Sequence, residues 1–97
     1  MKTQLKSRSI SDRTVNKTEL SVLKALTKRI KEKGALPFNS PHEIMGIVME
    51  EYEEVKAEVR SNKVARLRAE LIDLAVACIW GVASIDHRKQ TRKESND

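Results

Sequence analysis

Four acidic residues form two pairs with the same internal spacing: Glu51 with Glu54, and Glu70 with Asp73. In an α-helix, side chains three positions apart lie one turn apart on one face. Each pair would therefore present two carboxylates side by side. Counted round a helix from Ile44, Glu51 falls inside the apolar stripe made by Ile44, Ile47, Val48, Val55 and Val59. Glu54 borders that stripe and Glu50 lies farther round. Asp73 is the only charged residue between positions 71 and 85. A carboxylate in such surroundings is costly unless it is paired, neutralised or bound to a cation. Two such pairs on consecutive antiparallel helices would meet at one point, and four anions held that close need a positive charge. All-oxygen donors suit a hard ion; Mg²⁺ typically keeps several waters and binds through a few carboxylates together with substrate phosphates.

The same residues have plainer readings. The run EEYEE is also what a solvated acidic helix face looks like, and Glu53 and Lys56 on its far side suit that reading. Asp73 would be satisfied by an ion pair with Arg66, Arg68 or a lysine of the first helix, or by facing solvent through a gap in the packing. Other chemistries are less well provided for. His42 and His87 have no second His or Cys at ligand spacing, which argues against zinc. Gly34, Gly46 and Gly81 are isolated, so no glycine-rich phosphate loop is present, and no Ser/His/Asp or Cys/His arrangement is visible.

Positioning these pairs falls to helices. The chain has three Gly and two Pro among 97 residues and is rich in Ala, Leu, Glu, Lys and Arg, which favours an all-α fold. Three main helices are expected. The first spans about 17–33, with Asn16 and Glu19 in capping-box spacing, Gly34 as its stop and Leu20, Leu23, Leu26 and Ile30 as its apolar stripe. The second begins with Ser40 as N-cap, Pro41 at the first helical position and Glu43 three residues after the cap, and runs to about residue 60. The third covers about 63–86 and beyond Glu70 is apolar almost all the way round, so it must be covered on several sides. With two other helices in the chain, the simplest arrangement is an antiparallel bundle completed by oligomerisation, as a homodimer or homotetramer. Residues 1–15 read as a flexible basic arm, 16–87 as the single helical domain and 88–97 as a flexible polar tail.

One cysteine excludes an internal disulfide, and the first residues lack the basic, apolar and small-residue sequence of a secretion signal. A cytoplasmic location is expected. The longest apolar stretch, 71–85, is shorter than the ~20 residues that span a bilayer, so no membrane partner is expected. Net charge is +5, and it is unevenly placed: residues 1–40 hold ten basic and three acidic side chains, and residues 41–60 hold two basic and six acidic.

Glu50, Glu51, Tyr52, Glu53 and Glu54 read as EExxE, and after 15 intervening residues Glu70, Leu71, Ile72 and Asp73 read as ExxD. This order, with the run AELIDLAVA that contains the second motif, resembles the MazG-like all-α nucleoside triphosphate pyrophosphohydrolases over about residues 17–86. The resemblance implies that Glu51, Glu54, Glu70 and Asp73 ligate Mg²⁺, with Mn²⁺ as a substitute, and that Glu50 is an accessory carboxylate orienting the attacking water. It implies cleavage of a nucleoside triphosphate between the α and β phosphates, giving a nucleoside monophosphate and pyrophosphate. Many members of that family continue into a further helix that supplies Lys or Arg to the phosphates. Here only DHRKQTRKESND follows, leaving Arg88 and Lys89 as phosphate candidates or as solvated tail charges. Trp80 and Phe38 are candidates for stacking on a base or for the core.

Two other functions fit parts of the sequence. Lys24, Lys28 and Lys31 share a helix face behind a basic arm, a generic footprint for nucleic acid; the acidic middle segment and the lack of a helix-turn-helix pattern argue against that partner. A helical interaction protein that keeps the fold without the activity would retain the carboxylates and lack phosphate binding.

Overall fold

The computed structural model describes residues 9–96. Residues 1–8 of the expected arm and Asp97 of the expected tail lie outside them. Three helices follow in order: α1 (Asp12–Lys33), α2 (Pro41–Ser61) and α3 (Val64–Asn96). No strand occurs among the described residues, as the composition leads one to expect.

The first helix starts earlier than its capping-box spacing suggests. Ser11 is the N-cap, its hydroxyl accepting from the Thr14 amide at 3.1 Å, and Asp12 sits in the first turn, where a carboxylate complements the helix dipole. Nothing between Asp12 and Asn16 breaks a helix, so the earlier cap prevails. The helix ends where expected, at Gly34, whose φ of 85° suits a residue without Cβ. For α2 the start agrees with expectation: the Ser40 hydroxyl accepts from the Glu43 amide at 3.1 Å. Glu43 reaches back one residue farther than in a standard capping box, its Oε1 accepting from the Asn39 amide at 3.0 Å. Asn62, in the left-handed region at φ 63°, closes α2; as a short polar residue it tolerates that conformation. The chain then turns directly into α3. That helix runs on as far as Asn96, so the segment expected as a tail continues the third helix.

Helices α2 and α3 form an antiparallel hairpin, and α1 packs on α3 rather than on α2. Arg68 donates to the Ser21 hydroxyl at 3.2 Å, and Arg29 lies 5.0 Å from the Trp80 ring centroid. Together these contacts set α1 alongside α3 in the same direction. The α1–α2 connection is fastened to α3 at three points. The Trp80 indole donates to the Leu36 carbonyl at 2.9 Å, the Phe38 amide donates to the Ser84 hydroxyl at 2.9 Å, and the Arg88 guanidinium donates to the Phe38 carbonyl. Ser84 is 2% exposed and in turn donates to the Trp80 carbonyl at 2.7 Å. Truncating it to alanine should leave the buried Phe38 amide without an acceptor and destabilise the chain by about 1–3 kcal/mol. Chemical denaturation of Ser84→Ala against the parent chain measures this directly; equal midpoints would mean that the fastening contributes no stability.

The core is small. Phe38, Val55, Val76 and Ala77 are its buried apolar side chains, and α1 buries none of its residues. Leu20 and Leu23 of the expected α1 stripe are exposed, as are Val59 of α2 and Leu71, Ile79, Val82 and Ile85 of α3. The radius of gyration is 17.1 Å, against roughly 12.5 Å for a compact chain of this length. No helix among the described residues is long and apolar enough to cross a membrane.

Candidate functional site

The α2–α3 hairpin places its acidic residues by register. Glu54 and Glu70 each stand eight residues from Asn62, and Glu51 and Asp73 each stand eleven from it. Across an antiparallel hairpin, residues equally far from the turn lie at the same height, so the two i,i+3 pairs meet rung against rung. One carboxylate oxygen each from Glu51, Glu70 and Asp73 lies within 4.8 Å of the others. Glu54 adjoins them, within hydrogen-bonding reach of both the Glu51 and Glu70 carboxyls.

Burial differs among the four. Glu51 and Glu70 are half-buried, and the Oε2 atom of each is sealed from solvent with no hydrogen-bond partner. Glu54 is exposed at the rim. Asp73 is exposed, facing solvent through a gap in the packing, one of the arrangements its sequence surroundings allowed, because α1 packs on α3 and not on α2. Neither Arg66 nor Arg68 pairs with it. The ion pairs among the described residues are Lys28 with Glu32 and Lys56 with Glu53. Among the described residues, no basic side chain therefore forms an ion pair with the cluster.

Crowding shows in the electrostatics. Burial first, and then the neighbouring charge of Glu54, push the Glu51 carboxyl up from 4.5 to about 7, with Asp73 and Glu70 adding to the effect. Glu70 is raised as well, chiefly through a hydrogen bond with Glu54 that requires a shared proton, then through burial and the charges of Glu54, Asp73 and Glu58. Glu58, a half-buried carboxylate one turn nearer the hairpin tip, has its own donor in the Ser61 hydroxyl at 3.0 Å. The cluster can relieve its repulsion by taking up a proton or a cation.

The gap between α1 and α2 is a groove of about 430 Å³ floored by Asp73, Val76 and Ala77 of α3. Ile47, Glu50 and Glu51 line its α2 side, and Lys28, Arg29, Glu32 and Lys33 line its α1 side. Glu50 is exposed there, next to the cluster without belonging to the three converging groups. Arg88 and Lys89 are elsewhere. Arg88 sits 15 residues beyond Asp73 on α3, about 22 Å along the axis, and is engaged with Phe38; Lys89 beside it is exposed. Phe38 is core, and Trp80 is half-buried with its indole NH committed to Leu36.

Sequence reasoning missed the Arg29 and Lys33 side of the groove. It grouped Lys28 with Lys24 and Lys31, since all are basic on one arc of α1, and only the packing of α1 on α3 decides which arc faces the carboxylates.

Fold and site together define an all-α chain of three helices with an interhelical carboxylate cluster opening on a groove. Compared with known families, curated proteins and solved structures, the chain matches none.

Proposed function

We propose that the chain is a Mg²⁺-dependent nucleoside triphosphate pyrophosphohydrolase of the MazG-like kind, acting in the cytoplasm as a homodimer or homotetramer. The observation that carries this reading is the convergence of Glu51, Glu70 and Asp73 within 4.8 Å with no basic partner among the described residues. The donor set suits the ion: it is all oxygen, and the two sealed Oε2 atoms are lone-pair donors without a hydrogen bond to satisfy them. Glu51, Glu70 and Asp73, with Glu54 adjoining, would hold it. When bound there, Mg²⁺ supplies charge neutralisation for the phosphates and raises the acidity of a coordinated water.

The protein's own groups then have distinct roles. Glu50 stands in the groove, exposed, as the carboxylate available to accept a proton from the attacking water. Among the described residues no hydroxyl or thiol side chain lines the groove, so its chemistry favours direct attack by water at the α-phosphorus, with pyrophosphate as leaving group, over a covalent enzyme intermediate. The uncovered apolar side chains of α3, Leu71, Ile79, Val82 and Ile85, are assigned to contact with a second copy, because patches of this kind on a chain with so small a core favour association.

A panel of ribo- and deoxyribonucleoside triphosphates, assayed for pyrophosphate with Mg²⁺ and with EDTA, tests the reading. Release from at least one nucleotide that stops in EDTA is the expected result. Release from none would overturn it in favour of an inactive helical interaction protein. Binding to nucleic acid that persists in EDTA and weakens steeply with salt would favour the basic-surface alternative.

A further inference from the structure

The groove has a second chemical half that the carboxylates do not use. Lys28, Arg29 and Lys33 lie along its α1 wall together with one carboxylate, Glu32, which is paired with Lys28; Glu50, Glu51 and Asp73 line the rest of the groove. On α1 these three fall within about 140° of arc at ~100° per residue, whereas Lys24 and Lys31 do not line the groove. Arg29 is held in place: its guanidinium lies 5.0 Å from the Trp80 ring centroid and 5.6 Å from that of Phe38. These contacts go through the π-faces of the rings, so the N–H donors of Arg29 form no ion pair among the described residues. Lys28 makes an exposed pair with Glu32 at 3.9 Å, a contact weak enough to be exchanged for a stronger anion.

We infer that Lys28, Arg29 and Lys33 form the polyphosphate-binding wall of the groove, so that in this chain α1 takes the part of recognising the phosphates. The inference rests on the hydrolase reading for the identity of the substrate, but the anion-binding chemistry stands by itself. The placement favours it in three ways. The wall faces the carboxylates, so a polyphosphate lying in the groove touches basic side chains on one side and the cation-binding groups on the other. The volume, about 430 Å³, falls in the range of small-molecule sites, ~300–1,000 Å³. Arg88 and Lys89, the other basic candidates, lie about 22 Å farther along α3.

Trp80, the chain's single tryptophan, reports on the wall through its contact with Arg29. The test titrates inorganic tripolyphosphate in Mg²⁺ and follows Trp80 emission and calorimetric heat. It compares the parent chain with Lys28→Ala/Lys33→Ala and with a control, Lys24→Ala/Lys31→Ala, that removes the same charge from the same helix outside the groove. The groove variant should bind tripolyphosphate at least tenfold more weakly and show a shallower salt dependence. The control should change affinity less than twofold, and Mg²⁺ binding without phosphate should stay within twofold in both variants. Equal weakening in both variants, or none in the groove variant, overturns the inference. If no nucleotide is hydrolysed yet tripolyphosphate binding depends on Lys28 and Lys33, the hydrolase reading falls and the anion wall stands. If hydrolysis is Mg²⁺-dependent and tripolyphosphate affinity ignores these lysines, the reverse holds.

Discussion

Glu51→Gln should abolish pyrophosphate release, lowering turnover by at least 100-fold, and at the same time make the metal-free protein more stable. The two effects share one cause. Glu51 has an oxygen sealed from solvent without a hydrogen-bond partner, inside a cluster of carboxylates. In the absence of a cation its charge works against the fold. Glutamine keeps the shape, removes the charge and offers an amide NH₂ to the neighbouring Glu54 and Glu70 carboxyls. A gain of about 1–2 kcal/mol, or roughly 5–10 °C in melting temperature for a domain of this size, is expected at pH 8 in EDTA. Mg²⁺ should then raise the melting temperature of the parent chain and leave that of the variant unchanged, since ligand binding stabilises only a protein that binds it. Asp73→Asn should also lose activity, with less gain in stability because Asp73 is exposed. A variant that loses stability like an ordinary half-buried substitution, or full turnover in both variants, would contradict the account of the cluster.

The second expectation concerns pH. The folded-state pKa of Glu51 is about 7 against 4.5 for the free group. The folded chain therefore binds a proton more tightly than the unfolded one between those values. The stabilisation this provides is fully present below about pH 4.5 and is lost as pH rises through 7. Glu70, raised chiefly by its hydrogen bond with Glu54, acts in the same direction. In EDTA the cluster should cost stability on going from pH 5 to pH 8, on the order of 3 kcal/mol at most from Glu51. Mg²⁺ should reverse much of that loss at pH 8 and have little effect at pH 5, because proton and cation relieve the same repulsion. Thermal melts at the two pH values, with Glu51→Gln as the control that flattens the slope, provide the measurement. A metal-free parent chain more stable at pH 8 than at pH 5, with the variant showing the same slope, would rule this out.

Much of this was legible in the residues because it depends on local rules. Ser40, Pro41 and Glu43 mark the start of α2, and Asn62 marks the point where the hairpin turns. Once that turn is placed, the equal offsets of Glu54 and Glu70, and of Glu51 and Asp73, bring the acidic pairs level without reference to any other part of the chain. The start of α1 was less legible, since Ser11 with Thr14 and Asn16 with Glu19 are both acceptable caps. The end of α3 was not legible either, as polar sequence continues a helix as readily as it ends one.

What the sequence by itself determined is the all-helical fold and the meeting of two carboxylate pairs across one hairpin, because helix periodicity, capping and register act over a few residues at a time. Only the tertiary structure decided which face of α1 turns toward those carboxylates, that Asp73 opens on a groove, and that Arg88 fastens the Phe38 loop. These depend on how far α1 stands from α2. That distance is set by the Leu36–Phe38 segment held by Trp80, Ser84 and Arg88, contacts between residues more than forty positions apart that no local pattern encodes.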